Sequence, residues 1–157
     1  MPTNQSDKSF IQMAGEFGVA SELSRRRIHA YVTYGTNKSA DIFALNESGE
    51  HVIKIEVKST VGDKWPLSGR VGRGEPSPRI IWVFVSIPKL GSTGGAEYFI
   101  VSDEEVHEIY AKGRRAYVER HSKKHGRDPE GPGVPQLSKQ DVSAHKDKWE
   151  KISAKLK

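Results

Sequence analysis

Apolar residues recur at helical spacing early in the chain. Phe10, Met13, Phe17, Ala20 and Leu23, with Val19 nearby, are interleaved with Gln12, Glu16, Glu22, Arg25, Arg26 and Arg27. That period predicts a first helix near 9–26 with those apolar residues facing the core, after a loose polar tail at 1–9. Three β-like runs follow at 28–34, 41–45 and 52–59, separated by turn-forming stretches at 35–38 and 46–49. Alternation along the third run assigns Ile53, Ile55 and Val57 to one face and Val52, Lys54, Glu56 and Lys58 to the other.

Residues 60–79 hold four glycines and three prolines without periodicity, which reads as a long loop. The apolar run 80–87 has the length of a buried central strand, and 98–101 forms a further strand. Ser102 and Glu105 make a capping-box pair, and Val101 with Val106 a hydrophobic staple. Together they open a second helix that should fade near Lys123, with Gly113 weakening its middle. Residues 126–135 are too rich in Gly and Pro for regular structure. A last helix is expected from Ser138, again with a staple (Leu137, Val142). Val142, His145, Trp149, Ile152 and Leu156 follow at steps of 3 or 4, so one face of that helix should dock.

At 157 residues the chain suits a single domain, 1–157, able to bury a core without staples. It has no cysteine, which excludes a disulfide scaffold and a Cys-based zinc site. No apolar run approaches a membrane span. No signal-peptide pattern opens the chain, so a cytoplasmic protein is the expectation. Lys and Arg total 25 against 20 Asp and Glu, a net charge of +5. Such a basic balance suits a partner rich in phosphate, though a soluble basic protein needs no such partner.

The chemistry concentrates on the second and third strands. Asp41 stands at the head of one, and Glu56 and Lys58 share a face of the other. A hairpin of this size sets the two strands side by side, so two carboxylates and one ammonium converge at a sheet edge. Mg²⁺ prefers oxygen ligands and keeps several waters, so one or two carboxylates can hold it beside a phosphate. The metal polarises phosphoryl oxygen and activates water, and a neighbouring lysine offsets transition-state charge. The plain alternative is a set of weak, solvated ion pairs.

Three stretches carry a family resemblance: GEFGVASEL in the first helix, then YGTNKSADIFAL, then IKIEVKST. In this order they resemble the PD-(D/E)XK nuclease superfamily, which includes restriction endonucleases and archaeal Holliday junction resolvases. The match covers roughly residues 13–60. It implies a restriction endonuclease-like α/β (α+β) fold. That fold has a central mixed sheet with a helix–strand–strand–strand start and flanking helices, here with an extra C-terminal helix. It also implies metal binding by Asp41, Glu56 and the Val57 carbonyl, assisted by Glu16, with Lys58 catalytic and Mg²⁺ (or Mn²⁺) as cofactor. Ala40 stands where the family name has proline. The family's usual helix between the third and fourth strands has no counterpart in 60–79. Glu22 competes with Glu16 for the helix role, and Gly15 before Glu16 favours the latter.

Nucleic acid, DNA before RNA, is the partner this reading requires, and a homodimer suits cutting of two strands. Lys38 precedes Asp41, and the 60–79 segment supplies Lys64, Trp65, Arg70, Arg73 and Arg79 as candidate contacts. Trp65 has a second reading as a core anchor that pins the segment. His121 and His125 are four apart but lack a third zinc ligand. Two other functions compete with a metal-dependent endonuclease. One is a non-catalytic nucleic-acid- or partner-binding module of the same fold, and the other is an interaction protein with incidental basic charge.

Overall fold

A computed structural model describes residues 5–35, 39–67, 74–131 and 136–157. The chain runs α1 (Gln5–Arg25), β1 (His29–Val32), β2 (Ile42–Leu45), β3 (Val52–Thr60), β4 (Lys64–Pro66), β5 (Ile80–Ser86) and β6 (Glu97–Ser102). It continues through α2 (Asp103–His125), β7 (Gln136–Ser138), α3 (Lys139–Val142), a 3-10 turn at Ser143–His145 and α4 (Glu150–Lys155). The architecture is α+β: a mixed five-stranded sheet, ordered β1-β2-β3-β5-β6, flanked by helices. β3 and β5 run parallel, and the other pairs are antiparallel.

The apolar run 81–85 becomes the buried centre of β5, covered on both faces. On one face Ile53, Ile55, Val57, Ile81, Val83, Val85 and Ile100 meet Val19 and Leu23 of α1 and Trp149, Ile152 and Leu156 near the C-terminus. On the other, Trp82, Phe84, Phe99 and Val101 meet Val106 of α2, Trp65, Leu67, Leu137 and Val142. The capping box forms as expected. The Ser102 hydroxyl accepts from the Glu105 amide at 3.2 Å, and the Ser102 amide donates back to Glu105 Oε2 at 2.8 Å. Val101 and Val106 are fully buried behind it. Gly126 ends α2 in the left-handed conformation (φ 68°) that favours glycine.

Three expectations are corrected. First, the N-terminal half of the α1 apolar stripe turns outward: Phe10, Met13 and Phe17 are exposed, while Val19, Ala20 and Leu23 pack into the core as expected, joined by Gly15 and Glu16. The glycines decide this. A Cβ on Gly15 would lie 2.9 Å from Ser59 Cβ, and one on Gly18 would lie 2.6 Å from the Tyr98 hydroxyl. The helix therefore approaches the sheet more closely than a face of phenylalanines permits.

Second, the 60–79 segment is not wholly irregular. β4 pairs with β7, with Trp65 opposite Leu137. Third, the single C-terminal helix is broken. Ser138 caps α3 through Asp141 as a helix start should. Asp147 then takes a left-handed φ of 55°, its amide donates to the Tyr98 carbonyl at 2.9 Å, and the chain passes the β6 edge. Val142 thus serves one core cluster, while Trp149, Ile152 and Leu156 serve the other. A helix-period pattern survives the break because both halves keep their own apolar residues.

Candidate functional site at the end of β2

β2 is shorter than β3. Their register sets Ile42 opposite Ile55, Ala44 opposite Ile53 and Leu45 opposite Val52, so the next level holds Asp41 and Glu56. The ladder stops there, and β3 continues alone on that side. Side chains fill the gap. The Val57 amide donates to Asp41 Oδ2 at 2.8 Å, and the Val57 carbonyl accepts from Gln12 Nε2 at 3.0 Å. The same Gln12 amide donates to Glu16 Oε1 at 3.0 Å. Gln12 and Glu16 are one helical turn apart, so both fall on the α1 face that meets β3.

Asp41 is 6% exposed and Glu16 4% exposed. Two buried carboxylates are therefore linked to the Val57 backbone, Asp41 directly through the amide and Glu16 through Gln12 on the carbonyl. Asp41 is held from behind as well: its carbonyl accepts from the Thr33 amide at 2.9 Å, and its own amide donates to the Ile55 carbonyl at 3.2 Å. The Thr33 hydroxyl also donates to the Ala40 carbonyl. Glu22, the competing helix glutamate, is engaged elsewhere. Arg26 and Arg25 bond its carboxylate at 2.6 and 2.8 Å, and the Arg26 hydrogen bond, ahead of Arg25, holds it below the usual carboxylate range.

Glu56 and Lys58 flank Val57 in sequence, and their side chains project to the face opposite the Val57 side chain. Both are half-buried. The Lys58 ammonium lies 5.9 Å from the Trp82 ring centroid, at the outer limit of a cation–π contact. Trp82 is itself fixed: its indole N–H donates to Asp103 Oδ1 at 2.7 Å, and the Ser77 amide donates to Asp103 Oδ2 at 2.8 Å. Asp103 is a buried carboxylate that sequence reasoning passed over. Its place after the cap serine reads only as a favourable charge at a helix start.

Among the described residues, no three acidic or histidine side chains converge as a metal-holding group. The oxygen donors at the end of β2 (Asp41, Glu16, the Val57 carbonyl and, one step away, Glu56) are chemically of the type Mg²⁺ accepts.

Of the candidate nucleic-acid contacts, Lys64 and Arg79 are exposed. Lys38, Arg70 and Arg73 lie outside the described residues. Trp65 is 1% exposed. Its indole N–H donates to the Val85 carbonyl at 3.1 Å, and its ring packs edge-on against Phe84 and Phe99. It is the core anchor of β4, and its faces cannot stack on a base. No protein-family model, characterised protein or solved structure matches this chain.

Proposed function

We propose that the protein is a Mg²⁺-dependent endonuclease acting on DNA, of restriction endonuclease-like fold. The observation that carries this reading is the pair of buried carboxylates, Asp41 and Glu16, joined through Val57 at the level of Glu56, with Lys58 next along the same strand. In this reading Asp41 and Glu56 hold the cation, aided by the Val57 carbonyl, and Glu16 orients water or a further ligand beside it. The bound Mg²⁺ supplies Lewis acidity to the scissile phosphate. Lys58 places its ammonium against charge developing on that phosphate.

The second reading is a nucleic-acid-binding module without catalysis. It is favoured by the Gln12 amide, which takes the Val57 carbonyl as its own hydrogen-bond partner.

Supercoiled plasmid, linear duplex and a four-way junction, each with Mg²⁺, Mn²⁺ or EDTA, decide between the two. The nuclease should nick or cut at least one substrate only with metal. Asp41→Ala should lose both Mg²⁺ affinity and cutting. Lys58→Ala should keep Mg²⁺ affinity, since an ammonium is no ligand, yet lose about several hundredfold in rate. Cleavage by Lys58→Ala at the wild-type rate refutes the catalytic assignment, and wild type that binds DNA without cutting it under any condition leaves the binding module.

A further inference from the structure

Among the described residues, the face of the sheet carrying Glu56 and Lys58 is only half covered. α2, β4 and β7 pack against Trp82, Phe84, Phe99 and Val101 on β5 and β6. On β1, β2 and β3 the apolar side chains of the opposite face (Ala30, Val32, Ile42, Ala44, Ile53, Ile55) go into the α1 layer. What remains on the outer face can be read from the register. Tyr31 stands opposite Phe43, and Phe43 opposite Lys54, so three strands present an aromatic–aromatic–cationic row. Tyr31 is 57% exposed, Phe43 and Lys54 are half-buried, and Glu56 and Lys58 continue the same face along β3. At its outer edge the row meets a depression of about 490 Å³ lined by Arg27, His29, Tyr31 and Glu47.

We infer that this row is a stacking platform for unpaired nucleobases, with Tyr31 and Phe43 taking base faces and Lys54 and Lys58 the adjoining phosphates. The inference rests on the nucleic-acid function proposed above and narrows its substrate to single-stranded or locally unpaired DNA. Aromatic rings on adjacent strands of an open sheet can stack successive bases irrespective of sequence. Duplex bases hide their faces within the helix and offer only edges, so the rings of this row have no base face to stack on in a duplex. Lysines stand at two levels of β3 on this face, Lys54 and Lys58 on either side of Glu56, and the whole chain is at +5. The row also leads along β3 to Glu56 at the Asp41 level, so a strand laid on Tyr31 and Phe43 has its next phosphates beside the candidate site.

The test uses the full chain in EDTA, so that binding is read without cutting. A fluorescein-labelled single-stranded 12-mer and its duplex give affinities by anisotropy, and a 12-mer carrying 2-aminopurine reports stacking by quenching. Wild type should bind the single strand at least tenfold more tightly than the duplex and quench the probe. Tyr31→Ala should weaken single-strand binding about tenfold and relieve the quenching, while Tyr31→Phe keeps both. Tyr117→Ala, on α2, is the control for an exposed tyrosine elsewhere. Single-strand affinity and quenching that survive Tyr31→Ala, or a preference for duplex, overturn the platform. If wild type nevertheless cuts with Mg²⁺, the nuclease reading stands without it. Quenching without cleavage supports the platform and removes the nuclease, and failure to bind either strand form in EDTA overturns the platform, leaving cleavage with Mg²⁺ to decide the nuclease.

Discussion

Gly15→Ala tests how closely α1 lies on β3. The new Cβ would stand 1.7 Å from Ser59 Oγ, 2.9 Å from Ser59 Cβ and 3.5 Å from Val57 Cγ1. Rotating Ser59 relieves the first contact but not the second, because the Ser59 Cβ is fixed to the strand. The helix must therefore move, and overpacking of this kind costs about 1–3 kcal/mol. With two contacts below van der Waals distance we take the upper value, about 3 kcal/mol. Alanine gains about 1 kcal/mol over glycine within a helix, so the net loss is about 2 kcal/mol. Urea denaturation of wild type, Gly15→Ala, Ser59→Gly and the double variant forms a cycle. It should show a favourable coupling above about 1 kcal/mol in the double variant, since Ser59→Gly removes both obstructing atoms. Gly113→Ala on α2, where a Cβ meets nothing within 4 Å, should instead stabilise by about 1 kcal/mol. Gly15→Ala as stable as wild type would refute the close approach. It would also remove the reason why Gln12 and Glu16, rather than phenylalanines, reach Val57.

The exposed stripe of α1 makes a second prediction. Phe10, 69% exposed, should tolerate Ala within about 0.5 kcal/mol, whereas Leu23→Ala should cost about 2–5 kcal/mol in the same denaturation assay. A large loss at Phe10 would mean that the stripe is covered in solution. A third concerns acid. His145 Nδ1 lies 2.9 Å from Lys151 Nζ, and Lys151 is paired with Glu105 Oε2 at 2.6 Å. Burial first, then the Lys151 charge, depress the His145 pKa against the weaker pull of Glu105. A base whose folded pKa lies below its unfolded value of 6.5 leaves the unfolded state holding more protons. Stability should therefore fall as pH drops through about 6.5 toward the folded pKa. His145→Gln should flatten that part of the stability–pH curve, and an unchanged slope would show that other groups cause it.

Much of the fold was legible because local chemistry and tertiary structure agree. The β2–β3 hairpin follows from alternation plus the 46–49 turn, where Gly49 has φ 76° and Asn46 Oδ1 accepts from the His51 amide. The α2 cap follows from four residues alone. The misreadings arise where two patterns share one segment. In α1, the apolar series Phe10, Met13, Phe17, Ala20 and Leu23 keeps its helical period throughout, yet only its C-terminal half, with Val19, packs into the core. What marks the packing face is small size: Gly15 and Gly18 leave room that larger residues would fill. In the C-terminal segment, steps of 3 or 4 hold across a break because nothing in a periodic pattern records that the chain changes sides of the sheet.

The candidate site shows the same division. That Asp41 reaches the level of Glu56 could be read from the hairpin length, since antiparallel register is arithmetic once the turn is placed. Gly15 pointed to Glu16 over Glu22, and in the structure Glu16 is buried beside Gln12 while Glu22 pairs with Arg25 and Arg26. The role of Gln12 could not be read, because it depends on β2 ending opposite Ile55 while β3 runs on to Thr60. An amide four residues before a glutamate looks like an ordinary helix-surface pair. It becomes structural only where a neighbouring strand runs out and leaves a backbone carbonyl to satisfy. That same vacated ladder position gives the Asp41 carboxylate and the Gln12 amide their partners on Val57. A hairpin of two equal strands would have paired the Val57 amide and carbonyl with backbone, and the Asp41 carboxylate and Gln12 amide would have had no place beside them.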